Sequence, residues 1–133
     1  MYIKRAKVKH KLLIWCREDY TSLFSVFNFV KEFFGYTDLD LLKKTTLDIA
    51  KEALEQEIVY AGNLNNENKF VRWEEDVNKI IQKIKYQWDK LDRDLYPHEI
   101  VWFDEAPKGM IEFERLDNTP EVTEVDPFYL DGK

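Results

Sequence analysis

The chain has 133 residues, and its 20 lysine and arginine residues against 26 aspartate and glutamate residues give a net charge of −6 with both histidines neutral. A hydrophobic content of 44%, with 15% aromatic residues, is enough for a core and excludes wholesale disorder. No apolar run approaches the ~20 residues that a bilayer span needs, which excludes a transmembrane helix. We therefore expect a single domain over residues 1–133.

The cysteine count and the N-terminal segment bear on the compartment. Cys16 is the only cysteine, which rules out an intrachain disulfide and is typical of a reducing compartment. The apolar stretch 12–15 is too short for a secretory signal peptide, and charged residues follow it at once. We expect a cytoplasmic protein with no membrane partner.

Charge is unevenly distributed along the chain. Residues 1–17 contain six basic residues and no acid, whereas residues 18–133 carry 14 basic and 26 acidic residues, a net charge of −12. The basic residues are Lys4, Arg5, Lys7, Lys9, Lys11 and Arg17. The segment 1–17 is interpreted as a solvated strand or arm, with contact to RNA or a membrane surface as the alternative. The acidic remainder favours basic partners.

The first half of the chain predicts helices. Cap residues at 19–22 precede apolar residues at helical spacing over 23–34, and Gly35 is expected to end this helix. A second helical region begins near Asp38 and is expected to break at Thr45-Thr46 into two short helices, the second continuing towards Gly62.

The second half changes from helix to extended structure. A polar stretch at 63–69 predicts a turn, and 70–73 has strand propensity. The clearest helix follows, with apolar residues on one face from Val77 to Leu91. The run 100–103 predicts a strand. Residues 110–116 alternate as a second strand would, with Pro107 and Gly109 turning a hairpin between them.

These elements predict an α+β fold with about four helices and a small antiparallel sheet. The stretch 117–133 has two prolines and no periodicity, so it is expected to be an irregular acidic tail.

No catalytic or cofactor motif emerges from the sequence. Cys16 paired with His10 or His98 would provide a nucleophile and its base, but Cys16 follows an apolar run and is better interpreted as a small buried residue. The histidines and the cysteine lack the close spacing of a zinc site. We expect no enzyme activity, no metal and no cofactor.

Four aromatic residues allow a further alternative. Exposed rings interleaved with lysine or arginine bind single-stranded nucleic acid by stacking. Trp73, Trp88, Trp102 and Phe103 are candidates for such a platform, but their positions in apolar segments favour packing in the core.

The order of elements from about residue 27 to 114 resembles a known group of proteins. The resemblance rests on the segments TLDI (46–49), YAGNL (60–64), FVRW (70–73), WDKLDR (88–93), EIVWF (99–103) and PKG (107–109). They resemble small bacterial proteins that accompany polymorphic toxins and toxins of contact-dependent growth inhibition, and look like their winged-helix-like immunity members. The strand, Pro-Lys-Gly turn and strand would correspond to the wing.

A winged-helix-like fold raises the question of DNA binding. The helix that would enter the groove, 47–57, has Lys51 against four acids, a net charge of −3. Phosphate neutralisation drives duplex affinity, so this surface has the wrong sign and nucleic acid is not the expected partner.

The leading hypothesis is therefore an immunity protein that binds a cognate basic toxin, such as a nuclease, and neutralises it by stoichiometric occlusion. The expected partner-binding residues are acids of the last strand, the tail and the preceding loop, with two aromatic anchors. They are Asp92, Asp94, Glu112, Glu114, Asp117, Glu121, Glu124, Asp126, Phe128 and Tyr129. The alternative is a winged-helix-like regulatory or adaptor module that binds protein, or nucleic acid through residues 4–11 and the lysines of the last helix.

Overall fold

The computed structural model of the protein describes residues 2–123. Within this range there are six helices and one four-stranded antiparallel sheet, so the α+β prediction is confirmed. The elements are α1 (Tyr2–Glu18), β1 (Thr21–Ser22), α2 (Leu23–Phe34), α3 (Leu39–Glu55), β2 (Val59–Leu64), β3 (Phe70–Arg72), α4 (Val77–Asp89), β4 (Trp102–Glu105), α5 (Gly109–Asp117) and α6 (Pro120–Thr123).

The N-terminal segment is a central helix, and the prediction of a solvated arm is wrong. α1 buries Ala6, Lys9, Leu13 and Cys16, which recur at three- and four-residue spacing, and it packs against α2, α3, α5, α6 and β4. Lysines lie at and between these positions, so the apolar face is difficult to recognise in the sequence. Their long side chains extend over neighbouring rings or towards carboxylates, which makes their position in a packed helix acceptable.

A buried lysine connects α1 to two other helices. Lys9 is only 4% exposed, and its ammonium group forms an ion pair with Glu52 of α3 and donates a hydrogen bond to Gln56 at 3.1 Å. Glu112 of α5 lies 4.0 Å away, and Arg5 contacts the same Glu52 carboxylate at 3.2 Å. These contacts compensate the cost of removing the ammonium group from water.

The helix α2 matches its prediction, whereas α3 differs. Ser22 caps α2 by accepting a hydrogen bond from the Ser25 amide, and Gly35 ends it with a φ of 69°. α3 is one continuous helix, so the predicted break at Thr45-Thr46 is wrong. The Thr46 hydroxyl donates to the Leu42 carbonyl at 2.7 Å within the helix, instead of capping a new one. α3 ends at Glu55, and the chain then enters β2 rather than continuing as helix.

The sheet has the order β1-β4-β2-β3. Ala61 lies opposite Phe103, and both are buried against the helices. Gly62 lies between Trp102 and Arg72, and a Cβ there would be 2.2 Å from the Val71 carbonyl oxygen and 2.8 Å from the Phe70 ring. Only glycine therefore fits this position.

The helix α4 is confirmed, and it buries Ile80, Ile84 and Trp88. Asp76 caps it by accepting a hydrogen bond from the Lys79 amide. The turn between β2 and β3 is also confirmed, because Oδ1 of Asn65 accepts the amides of Glu67 and Lys69.

The segment after β4 is a helix, so the predicted hairpin at Pro107 and Gly109 and the wing built on it are wrong. The Gly109 amide donates to the Ala106 carbonyl, and α5 begins there. Gly109 and Leu116 are buried, with Phe113 between them partly buried, which is helical spacing. Seven residues with this composition fit both an alternating and a helical pattern, and burial against α1 selects the helix.

The predicted irregular tail, 117–133, lies only partly within the residues that the structure describes. Residues 117–123 are not irregular throughout, because Pro120–Thr123 forms α6 and Val122 is buried. The remainder of the predicted tail lies outside residues 2–123.

Replacing Lys9 tests the connection between the helices. Lys9→Met leaves the partly buried Glu52 without its closest cation, and we expect a loss of about 2 kcal/mol in the free energy of unfolding, measured by urea denaturation. The control Lys44→Met removes an exposed i,i+4 pair with Asp48 and is expected to change it by less than about 0.5 kcal/mol. Equal effects would contradict the role of Lys9.

Adding one carbon at Gly62 tests the sheet. Gly62→Ala is expected to lower the free energy of unfolding by about 1–3 kcal/mol, because the new Cβ meets the backbone oxygen of Val71. Adding Phe70→Leu to this variant is not expected to restore stability, since the tightest contact is with backbone. An unchanged urea midpoint in Gly62→Ala would disprove the close approach.

Candidate partner-binding surface

The outer side of α5 forms a mixed apolar and acidic surface. Because Gly109, Phe113 and Leu116 turn towards the interior, helical geometry turns Met110, Ile111, Glu114 and Asp117 outward. The next helix, α6, packs against α5 and exposes Glu121. We call these five outward residues the α5–α6 face.

Two large apolar side chains of this face are exposed to solvent. Ile111 is 71% exposed and Met110 is 52% exposed, at adjacent positions near the start of α5. Sequence reasoning missed both, because an alternating strand would have turned Ile111 into the core. A pair of exposed apolar residues beside acids is the composition of a protein interface more than of a solvated helix.

The acidic residues of the α5–α6 face differ in whether their carboxylates contact another residue. The carboxylates of Glu114 and Glu121 are exposed and have no ion-pair or hydrogen-bond partner within residues 2–123. Oδ1 of Asp117 lies 3.1 Å from Nε2 of His10, whose ring stacks on Phe113 at 5.4 Å. Two of these three carboxylates are therefore available to a partner without first breaking an internal contact.

Glu112 belongs to the interior rather than to this face. Its side chain is 15% exposed, accepts two hydrogen bonds from Arg115 at 2.8 and 2.6 Å, and approaches Lys9. The hydrogen bonds from Arg115 lower the pKa of its carboxyl below the usual value, despite partial burial. Both Glu112 and Glu114 were expected on a strand and lie on a helix.

Asp92 and Asp94 lie in the connection between α4 and β4, on different elements from the α5–α6 face. Both are exposed, and neither carboxylate has a partner in the described part of the chain. Between them, Arg93 forms a two-pronged ion pair with Glu99, at 2.8 and 2.7 Å. The hydrogen bonds from Arg93 and from the Tyr96 amide lower the pKa of Glu99 to about 2, and they link the two ends of this loop.

Asp94 also lines an open cleft of about 540 Å³ between α2, α3 and the end of α4. The floor contains the edge-to-face pair of Phe27 and Trp88, and Lys31 and Lys43 stand beside it. The cleft presents mixed charge rather than an acidic surface.

The remaining predicted partner residues, Glu124, Asp126, Phe128 and Tyr129, lie outside the described residues. Their part in a binding surface stays a prediction.

The basic residues of the N-terminal segment are used within the fold. Arg5 and Lys9 pair with Glu52, Lys11 pairs with Glu32 at 2.8 Å, and Arg17 lies over the Phe113 ring at 4.2 Å. Lys4 and Lys7 lie over the rings of Phe34 and Phe33 on α2. A nucleic-acid backbone would have to compete with these contacts for each cation.

Three of the four lysines between positions 79 and 90 are also engaged. Lys83 lies 3.9 Å from the Trp73 ring centre and 3.5 Å from Glu75, and Lys85 pairs with Asp89 at 2.6 Å. Lys90 lies over the ring of Tyr86. These pairs leave this helix with less free positive charge than its sequence indicates.

The interpretation of Cys16 as a buried packing residue is confirmed. Its sulfur lies 3.4 Å from Oγ1 of Thr21 and 3.6 Å from the Phe103 carbonyl oxygen. Burial raises the pKa of the thiol to about 12, so it is protonated at neutral pH and a poor nucleophile. Of the proposed stacking residues, Trp73, Trp88 and Phe103 are buried, whereas Trp102 is half-buried.

Comparison with protein-family models, with curated proteins and with solved structures finds no match to this chain. Among residues 2–123, no helix has the length and apolar character required to cross a bilayer.

Acid titration tests the charges around α1. Burial raises the pKa of Glu52, but hydrogen bonds and charges from Lys9 and Arg5 outweigh it, so the pKa lies below 4.5, as does that of Glu112. The contacts of Glu52 with Lys9 and Arg5, and of Glu112 with Arg115, therefore contribute fully to the free energy of unfolding above pH 4.5. This contribution disappears as the pH falls through the lowered pKa values of the two carboxyl groups.

Urea midpoints between about pH 7 and about pH 3 measure this dependence. The double variant Glu52→Gln, Glu112→Gln is expected to have a flatter acid profile than the unmodified protein. The control Glu74→Gln, at an exposed glutamate that has no ion pair with any residue of the range 2–123, is expected to keep the original slope. An unchanged slope in the double variant would mean that other carboxylates dominate.

Proposed function

We propose that this protein is an immunity protein, a non-enzymatic inhibitor that binds a cognate basic toxin through the α5–α6 face and occludes it stoichiometrically. The observation that carries the proposal is the exposure of Ile111 and Met110 next to the unpartnered carboxylates of Glu114 and Glu121. The other side of the same helix is anchored to the core through Leu116.

The two kinds of residue contribute differently to such a complex. A few apolar anchors that become fully buried account for most of the affinity at protein interfaces. Ile111 and Met110 supply this role on a rigid helix, so little conformational entropy is lost on binding. Glu114 and Glu121 accelerate the encounter with a basic surface and disfavour acidic competitors.

A nuclease is a suitable partner class because its active-site cleft binds phosphates. The carboxylates of Glu114, Asp117 and Glu121 would occupy the positions of phosphate oxygens against lysine and arginine side chains. The internal use of the basic residues of α1 supports this proposal over nucleic-acid binding, since those cations are already paired or stacked.

The proposal is tested by co-expressing the tagged protein with the product of the gene immediately upstream. We expect co-purification, toxicity of that product when it is expressed alone, and relief of toxicity by this protein. Ile111→Arg is expected to weaken the complex by more than about tenfold, and Glu114→Lys to lower mainly the association rate. Surface plasmon resonance measures both quantities.

Matched controls are available on other elements. Val71→Arg on β3 changes an apolar residue of similar exposure, 51%, and Glu74→Lys reverses an exposed acid in the β3–α4 connection. Both are expected to bind as the unmodified protein does. Loss of binding in these controls alone would place the interface elsewhere, and a harmless upstream product that does not bind would refute the proposal.

A further inference from the structure

An open polar groove lies at one end of the sheet, away from the elements that form the α5–α6 face. It has a volume of about 600 Å³, within the range of ~300–1,000 Å³ that small-molecule sites occupy. Three separate segments form it: the residues before β1, the β2–β3 turn and the approach to β4. We call it the Trp102 groove, and its main lining residues are Asp19, Tyr20, Asn65, Asn68, His98 and Trp102.

Aromatic rings form two sides of the groove. The His98 ring stacks on Trp102 with a centroid distance of 5.2 Å and an angle of 26°, and Tyr20 stacks on Phe70 at 5.4 Å. Phe70 passes across Gly62, where a side chain would block it. The rings are thus held by the sheet itself, and Trp102 remains half-buried rather than covered.

The groove carries hydrogen-bonding groups that the fold does not use. Within residues 2–123, no partner contacts the Tyr20 hydroxyl, the Trp102 indole N–H, the ring nitrogens of His98 or the side-chain amide of Asn68. The NH₂ group of Asn65 is likewise unused, because only its oxygen serves the turn. Several donors and acceptors thus converge on one open volume.

Asn63, in contrast, has a structural role in the same groove. Its oxygen accepts the Trp73 indole N–H at 2.6 Å, and its NH₂ donates to the Ile100 carbonyl at 3.2 Å. Ile100 has a φ of 71°, and the Val101 amide donates to the Glu99 carbonyl across it at 2.8 Å, which makes a strained γ-turn.

Strained backbone is concentrated around this groove. A positive φ at a β-branched residue such as Ile100 is an outlier that costs on the order of 1–3 kcal/mol, and His98 and Asn68 also have positive φ values of 71° and 60°. Strain of this kind persists at binding sites because it fixes side chains in position. Here the strained segment 98–100 holds His98 over Trp102, whereas Asn68 adopts the left-handed conformation that asparagine tolerates in turns.

The charged residues of the lining limit the class of ligand that the Trp102 groove can bind. Among residues 2–123, Asp19 is the one carboxylate of the lining, and no lysine or arginine of this range contributes to it. Phosphate-bearing ligands, including single-stranded nucleic acid, require cations that these lining residues do not supply. The lining instead suits a neutral molecule that has a flat apolar face and many hydroxyl groups.

We propose that the Trp102 groove binds a neutral carbohydrate. A pyranose ring presents a face of C–H bonds that packs on the Trp102 and His98 rings, while its equatorial hydroxyls reach the amides of Asn65 and Asn68 and the Asp19 carboxylate. This binding uses different elements from the proposed toxin interface and does not depend on it.

The test uses the full-length protein and three trisaccharides, cellotriose, maltotriose and chitotriose, titrated in ¹H–¹⁵N NMR spectra. We expect at least one to bind with a dissociation constant of roughly millimolar or tighter, with shifts centred on residues 63–68 and 98–102. The sharpest variants are His98→Gly and Asn68→Gly, because glycine adopts a positive φ without strain and the fold is retained. Each is expected to weaken binding about tenfold.

Glu57→Gly is the matched control, since Glu57 also has a positive φ, 59°, but lies outside the groove. Binding in this variant is expected to equal that of the unmodified protein. The proposal is overturned if none of the three sugars binds, or if binding survives in both groove variants or falls equally in the control. Stronger shifts at the same residues with a single-stranded oligonucleotide would also overturn it and would identify a stacking site for nucleic acid.

Discussion

The burial of one ammonium group constrains the arrangement of the helices. Lys9 lies on the inner side of α1, and a charge in that position is tolerated only if carboxylates or other acceptors surround it. Glu52 and Gln56 provide them from the last part of α3, and Glu112 adds a longer contact from α5. The position of α1 between these helices therefore determines where α5 begins and which side of it faces the solvent.

This arrangement also determines the electrostatic character of the surface. The basic residues of α1 are engaged by other parts of the fold: Arg5 and Lys9 contact the Glu52 carboxylate, and Lys4 and Lys7 lie over the rings of α2. A charge with an opposite charge beside it acts less on distant partners, because the two fields partly cancel. The field that a partner meets is thus set mainly by exposed acids such as Glu114 and Glu121, which is why the proposed function rests on them.

The sequence predicted those elements in which a cap residue and an apolar period agree, as they do at Ser22 for α2 and at Asp76 for α4. It failed where the two signals conflict. In α1, the lysines at positions 7, 9 and 11 alternate with Ala6, Val8 and Leu12 and obscure the apolar period, and in α5 seven residues fit either period. The misassignment of α5 explains why the alternating pattern indicates Glu114 as an exposed binding residue and does not indicate that Ile111 is exposed as well.

The groove could not have been found from the sequence for a different reason. Its residues come from three segments separated by at least 30 positions, and only the pairing of β4 with β1 and β2 brings Tyr20, Asn68 and His98 together. None of these segments has a motif of its own.

The sheet order also explains why the strained turn persists. β4 lies between β1 and β2 in the sheet. The chain before it turns sharply at Ile100, and this turn places Val101 in the core. The ion pair of Arg93 with Glu99 holds one side of the turn, and Asn63 holds the other. Because the fold bears this cost, the rings and amides of the groove are positioned before any ligand arrives, and binding need not repeat the loss of conformational entropy. Since a small neutral ligand makes few contacts, its affinity depends on losing little conformational entropy on binding, and a rigid groove meets that condition.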